Sequence, residues 1–241
     1  MTTERDLAPL LIEAQRAGTM SADQSLLAGI DADAAYDVQR AVMAALGETA
    51  GMYKVAVAAD GSGLIAPIYA SRVADSGALQ LPVAKTTGLE VEIGVVLDSD
   101  LPPGSDRAAV EAAVGRYFLG VEVCGSRYAD RSAASPTAAL ADQMSAFGYV
   151  IGGDWPRGSD ISGLDVTLRV GGSEIYSAPA KHGFGGVLEA LVAYAALAEQ
   201  PYPLTAGTVL TTGSMCGLVP NSATGTVVAE FGGQSVTLEL V

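Results

Sequence analysis

Leu89-Glu90-Val91-Glu92-Ile93-Gly94-Val95-Val96-Leu97 decides how the rest of this chain is read. Successive side chains of a strand face opposite sides. Val91, Ile93, Val95 and Leu97 therefore share an apolar face, while Glu90, Glu92 and Gly94 share the other. Two neighbouring carboxylates on an otherwise apolar strand are costly unless a cation neutralises them. Their Cα atoms lie ~6.5–7 Å apart in a strand, a spacing that suits two oxygen ligands converging on one hard divalent ion.

A second stretch repeats the arrangement. In Tyr117-Phe118-Leu119-Gly120-Val121-Glu122-Val123, alternation sets Phe118, Gly120 and Glu122 apart from Tyr117, Leu119, Val121 and Val123. Each glutamate face carries a glycine that leaves room beside the carboxylates. The competing reading is a solvated sheet face, on which charges are ordinary. The pattern alone does not separate the two.

Working outward, the first fifty residues read as helical. Leu7, Leu10, Leu11 and Ala14 recur at helical spacing up to Gly18, Ser21 is positioned to cap a short second helix, and a third runs over 33–46 into Gly47. From Gly51 onward, β-branched runs alternate with Gly, Pro, Ser and Asp clusters. Strands are expected over 90–97, 117–123, 148–151, 166–170, 208–211, 226–231 and 235–240. The last two join through Gly232-Gly233, a strong hairpin signal. Two helices interrupt them, from Asp106 to Val114 and from Gly186 to Glu199. The expectation is an α+β chain, with a helical N-terminal element over 1–50 on a β-rich domain over 51–241.

Composition removes several function classes. The 241 residues carry 13 Lys plus Arg against 27 Asp plus Glu, a net charge of −14. Nucleic acid and anionic membranes both demand cationic patches and are poor partners for such a chain. An anionic substrate would need a local positive centre, which a metal ion supplies. The two cysteines, Cys124 and Cys216, form neither a disulfide framework nor a CxxC site. No apolar run approaches the ~18 residues of a membrane helix, and the first residues lack the apolar stretch of a secretion signal. A cytoplasmic protein is expected.

The carboxylate strands, together with Ser126-Arg127, resemble those of the 2-keto-4-pentenoate hydratase branch of the fumarylacetoacetate hydrolase superfamily. Ala35-Tyr36-Asp37-Val38-Gln39 is similar to that branch's signature helix, and Gly51-Met52-Tyr53-Lys54-Val55 to its Gly-x-Lys-Val strand. Pro67-Ile68-Tyr69, Ala141-Asp142-Gln143-Met144-Ser145 and Leu210-Thr211-Thr212-Gly213-Ser214 match further segments in the same order. The resemblance implies a mixed β-roll and a Mg²⁺ or Mn²⁺ held by Glu90, Glu92 and Glu122. It also implies that the ion chelates the carboxylate and 2-oxo oxygen of a small 2-oxo acid. The activity it points to is a lyase of aromatic catabolism, a hydratase adding water to a 2-hydroxy-2,4-dienoate. The alternatives are a 4-oxalocrotonate-type decarboxylase or a non-catalytic partner subunit of such an enzyme. It implies Lys54 as a catalytic cation, with Ser145, Thr212, Gly213 and Arg127 at the substrate. It further implies a homo-oligomer, or a complex with a related decarboxylase or hydratase.

The sequence departs from that branch where proton transfer is concerned. Leu64-Ile65-Ala66-Pro67-Ile68-Tyr69 carries no carboxylate where the hydratases have acidic residues around the proline. The usual Asp-Ser-Arg reads Gly125-Ser126-Arg127, and the Asn of Ala-Asp-Asn is Gln143. Hydration needs a proton delivered at one carbon and a water activated at another, so the missing acid weakens hydratase more than decarboxylase. His182, the one histidine, sits in a loop between Lys181 and Gly183 and is expected to play no catalytic part.

Overall fold

The computed structural model describes residues 8–241. Leu7, expected on the first helical stripe, lies outside the described residues. Helix α1 (Ala8–Ala17) buries Ala8, Leu11 and Ala14. Helix α2 (Ala32–Leu46) starts at Asp31, whose carboxylate accepts from the Ala34 N–H, and stops at Gly47 in the left-handed conformation. Between them a single 3-10 turn, Gln24–Leu27, is capped by Asp23 and not by Ser21. The carboxylate two residues further on reaches the Ser25 N–H, while the Ser21 hydroxyl pairs with Thr19.

The strands are β1 (Ala50–Val57), β2 (Gly63–Tyr69), β3 (Val73–Asp75), β4 (Gln80–Leu81), β5 (Thr86–Leu97) and, after helix α3 (Arg107–Ala113), β6 (Val114–Gly125). Helix α4 (Pro136–Ala141) precedes β7 (Ala146–Trp155), β8 (Asp165–Val170) and β9 (Ser173–Pro179). Helix α5 (Glu189–Ala195) leads to β10 (Val209–Ser214), β11 (Val219–Pro220), β12 (Gly225–Phe231) and β13 (Gln234–Leu240). Helix α5 is shorter than the expected 186–199, because the glycine-rich approach before it stays irregular and the chain turns back at Leu197.

Two mixed sheets result. One runs β2-β1-β10-β5-β6-β7-β3, with β11 added to β5; the other runs β4-β13-β12-β8-β9. The long pair β5 and β6 is the spine of the first. Its apolar face, with Val91, Ile93, Val95, Leu119, Val121 and Val123, is sealed in a core that also takes Leu11, Val38 and Leu191 from the helices. Each side chain of this size contributes about 1.5–3 kcal/mol on full burial. The opposite face has a small apolar cluster of its own: Met52, Ile68, Phe118, Ala146 and Tyr149. Tyr149 and Phe118 of that cluster pack over Gly120 and Gly94 of the spine.

Candidate metal centre

Register brings the carboxylates together. Glu90 stands directly opposite Glu122 across the β5–β6 ladder, and Glu92 stands opposite Gly120. Like charges placed opposite one another destabilise a ladder unless they are compensated. Glu92 is only 1% exposed and Glu122 is fully buried, so this is not a solvated sheet face. Close packing makes the room. A Cβ added at Gly120 would fall 2.4 Å from the Tyr149 ring, and one at Gly94 would fall 2.2 Å from Phe118.

Lys54 supplies the compensating charge. Strand β1 pairs in parallel with β10, Lys54 beside Thr211, so its side chain reaches across to β6. The Nζ donates to Glu122 Oε1 at 2.6 Å and to the Met144 carbonyl at 3.2 Å. Burial works against the lysine's charge, but Glu122, Cys124, Glu90 and Glu92 outweigh it and raise its pKa, so Lys54 stays an ammonium. Burial pushes the Glu122 carboxyl up to about 7 against the pull of Lys54. It pushes Glu92 well above the usual carboxylate range, helped by the charges of Glu122 and Glu90. One ammonium thus serves three carboxyl groups, two of which hold their protons more tightly than usual for want of a further cation.

Buried polar atoms record the same want of a cation. Glu92 Oε2, Glu122 Oε2 and the Tyr149 hydroxyl are buried without a hydrogen-bond partner. Each such group costs about 1–3 kcal/mol unless something satisfies it. The donor atoms that all lie within 4.8 Å of one another belong to Glu90, Glu122 and Cys124, among the described residues. Glu92, a pleat repeat further along the same face, adds a third carboxylate beside this group, its Oε2 buried without a partner, and Cys124 lies next to Glu90 and Glu122. A divalent cation fits these residues, since two acidic oxygen donors with a further carboxylate beside them favour hard or borderline ions.

The Met144 carbonyl is presented by an unusual turn. Gln143, Met144 and Ser145 all have positive φ, at 55°, 52° and 66°, although none is glycine. Left-handed backbone at non-glycine residues is strained and persists only when its surroundings enforce it. Here the enforcing element is a buried ion pair: Arg127 Nε donates to Asp142 Oδ1, and Ser126 Oγ donates to Asp142 Oδ2 at 2.6 Å. Arg127 also donates to the Asp142 and Ala146 carbonyls. Its guanidinium faces the turn, and Arg127 lines neither cavity over the glutamates.

A cavity of about 280 Å³ opens over the carboxylates, lined by Lys54, Glu90, Glu92, Met144, Phe184 and Gly213. A smaller one of about 80 Å³ adjoins it, where Cys124, Arg131, Ser145 and Leu218 meet Lys54 and Glu90. Ser145 is thus at the site and accepts from Arg131 Nε. Gly213, at φ 118°, lies on the wall, and a Cβ there would strike Phe184 at 2.7 Å. Thr212 is turned away, its hydroxyl donating to the Ile93 carbonyl at 2.6 Å. His182 is buried behind Gly213 and Phe184 and lines neither cavity. Sequence reasoning missed Cys124, Arg131 and Tyr149 as neighbours of the site. Extending the alternation of β6 by one more step would have found Cys124.

A larger cavity of about 360 Å³ lies against the other face, by Ile93, Tyr117 and Trp155. Its charged groups are committed to local partners, Arg107 to Glu189 and Asp160 to the Ser162 N–H. It offers none of the unpaired carboxylate oxygens found beneath the smaller cavity.

Comparison with known proteins agrees with this architecture. No curated protein matches the chain. Among solved structures, 4-oxalocrotonate decarboxylase from Pseudomonas putida G7, complexed with magnesium and adipate, superposes with a TM-score of 0.77 at 21% identity, covering 100% of this chain and 99% of that one. The 2-hydroxyhepta-2,4-diene-1,7-dioate isomerase from Mycobacterium marinum gives 0.54 at 16% identity over 79% of this chain and 73% of its own. The 5-carboxymethyl-2-hydroxymuconate delta-isomerase from Mycobacterium smegmatis gives 0.54 at 18% identity, over 79% and 76%. At these identities the likeness is one of fold. The family model for the fumarylacetoacetate (FAA) hydrolase C-terminal domain matches residues 54–239, from Lys54 to the last strand, and the chain belongs to that family.

Proposed function

We propose that the Glu90–Glu122 face holds Mg²⁺ or Mn²⁺ and that the chain is a lyase releasing CO₂ from a small, conjugated 2-oxo acid. The observation that carries the metal is the pair of partnerless buried oxygens, Glu92 Oε2 and Glu122 Oε2, beside a single ammonium. The similar decarboxylase was solved with magnesium and a dicarboxylate, which supports the same ion class here. A divalent ion at this face supplies Lewis acidity to a 2-oxo oxygen and charge for the adjoining carboxylate.

The chain's own residues do the rest. Lys54 Nζ, fixed between Glu122 and the Met144 carbonyl, holds a positive charge at the cavity wall. Val55, Ala56 and Phe184 make part of the wall apolar, which strengthens electrostatic attraction along it. As CO₂ leaves, the electron pair of the broken C–C bond passes through the conjugated chain to the 2-oxo oxygen. Reprotonation of carbon then follows with a proton drawn from solvent, while the Lys54 ammonium stays beside the developing enolate charge.

Decarboxylation is favoured over hydration by the carboxylate inventory of the site. Glu90 and Glu92 are the acidic residues lining the two cavities, and β2 contributes none. Activating water at one carbon while protonating another needs an acid or base beyond the cation's own ligands. The test is to incubate the protein and Mg²⁺ with 4-oxalocrotonate and, separately, with 2-hydroxypenta-2,4-dienoate. CO₂ release from the first, reduced ~10²–10³-fold by Lys54→Met, is the expected result. Loss of dienoate absorbance without CO₂ makes the chain a hydratase. Neither reaction, with metal bound, makes it a partner subunit.

A further inference from the structure

The small cavity beside the carboxylates is lined by more hydrogen-bond donors than the protein's own acceptors use. Arg131 opens a 3-10 turn, Arg131–Ala133, capped by Asp130, whose carboxylate is taken up by the Ser132 N–H and hydroxyl. Among the described residues, no carboxylate lies within ion-pair distance of Arg131. Its Nε donates to Ser145 Oγ, and its two terminal nitrogens have no partner among the described residues. Ser145, 3% exposed, accepts that bond and has no acceptor there for its own hydroxyl proton. Lys54 spends two of its three N–H groups on Glu122 and the Met144 carbonyl. These three side chains and Glu90 line a space of about 80 Å³, room for a carboxylate group and not for a whole substrate.

We propose that Arg131 and Ser145 hold the retained 1-carboxylate of the oxo acid, and that its departing carboxylate lies in the cavity of about 280 Å³. The inference rests on the decarboxylase reading above and fixes which way round the substrate lies. The far carboxylate is the one that can leave by the route given there. Breaking its C–C bond sends the electron pair along the conjugated chain to the 2-oxo oxygen, whereas loss of the 1-carboxylate would strand the pair on the carbonyl carbon. A guanidinium is always charged and clasps a carboxylate bidentately. At the departing end it would stabilise a charge that vanishes as neutral CO₂ forms, and so slow the reaction. At the retained end the charge persists throughout, and the clasp orients the chain without opposing the step. The two cavities suit that division, with Arg131 and Ser145 on the small one and Val55, Ala56 and Phe184 on the larger. Glu90 and Lys54 line both and mark where the 2-oxo group sits between them.

The experiment uses the full chain loaded with Mn²⁺ and two unreactive probes. Pyruvate carries the 1-carboxylate and 2-oxo group alone. The saturated 2-oxohexanedioate adds a far carboxylate but has no conjugated route for its loss. Each is titrated while the relaxation of water protons by bound Mn²⁺ is followed, since an oxo acid that chelates the ion displaces its waters. Arg131→Met should bind both probes ~10–100-fold more weakly, by factors equal within ~3-fold. Mn²⁺ titration of the variant, unchanged within ~3-fold, certifies that it is folded. Arg169→Met, which removes the same charge from an exposed ion pair of the second sheet, should bind both probes as wild type does. Weakening of 2-oxohexanedioate alone overturns the proposal and places Arg131 at the far carboxylate. Unchanged binding of both probes, or equal weakening by Arg169→Met, overturns it as well. Mn²⁺ binding to wild type with neither probe bound overturns it together with the oxo-acid reading, and failure of Mn²⁺ to bind removes the metal reading itself.

Discussion

Asp142→Ala should be among the most damaging single substitutions outside the metal face, and the structure says by how much. Asp142 and Arg127 are buried together, with side chains 1% and 5% exposed. Truncating the carboxylate leaves an uncompensated guanidinium in the interior, which costs about 3–5 kcal/mol. It also strips the acceptor from Ser126 Oγ and from the Arg127 backbone N–H, each costing about 1–3 kcal/mol when a buried donor is orphaned. These losses overlap, so a total of about 4–6 kcal/mol is expected, a large part of the 5–15 kcal/mol typical of a whole domain. At ~2–4 °C per kcal/mol for a chain of this size, the melting temperature should fall by roughly 8–24 °C. Urea unfolding followed by circular dichroism and by the fluorescence of Trp155, the only tryptophan, measures it. The apolar replacement Arg127→Met/Asp142→Leu should recover most of the loss, because it removes both buried charges at once. A loss below ~1 kcal/mol for Asp142→Ala, or a double variant no better than the single, would refute the reasoning.

Other outcomes follow from packing and from linkage. Gly120→Ala drives a methyl group into the Tyr149 ring; it should cost about 1–3 kcal/mol by overpacking and weaken Mn²⁺ binding in the same titration, since the ring and the carboxylates share one face. Burial holds the His182 pKa below its usual 6.5, so the unfolded chain binds a proton that the folded chain refuses. Stability then rises with pH up to about 6.5, and His182→Gln should flatten that part of a melting-temperature series between about pH 5 and 7.

The sequence carried the two faces of β5 and β6, because alternation is a property of any strand and the apolar residues obey it. It did not carry their register. Glu90 faces Glu122 because of how two strands slide into place, a long-range choice that neither segment encodes alone. The left-handed run Gln143–Ser145 gave no signal, since no glycine marks it; the Arg127–Asp142 pair that enforces it joins residues fifteen positions apart. For the same reason Arg127 looked available for substrate. Its burial depends on a turn that forms only in the folded chain. Arg131, four residues on, is the arginine that reaches the cavity wall beside Ser145.

Divalent-ion binding at the facing glutamates is the property on which the proposed chemistry depends. Glu90 is the cleaner residue to alter, since it is only half buried and Lys54 pairs with Glu122 instead. Mn²⁺ titrated into wild type and Glu90→Gln, with bound ion followed by electron paramagnetic resonance, measures it directly. One site per wild-type chain, weakened at least ~10-fold in Glu90→Gln, is the predicted result. Equal affinity in the two proteins, or no binding to wild type, contradicts the centre described here.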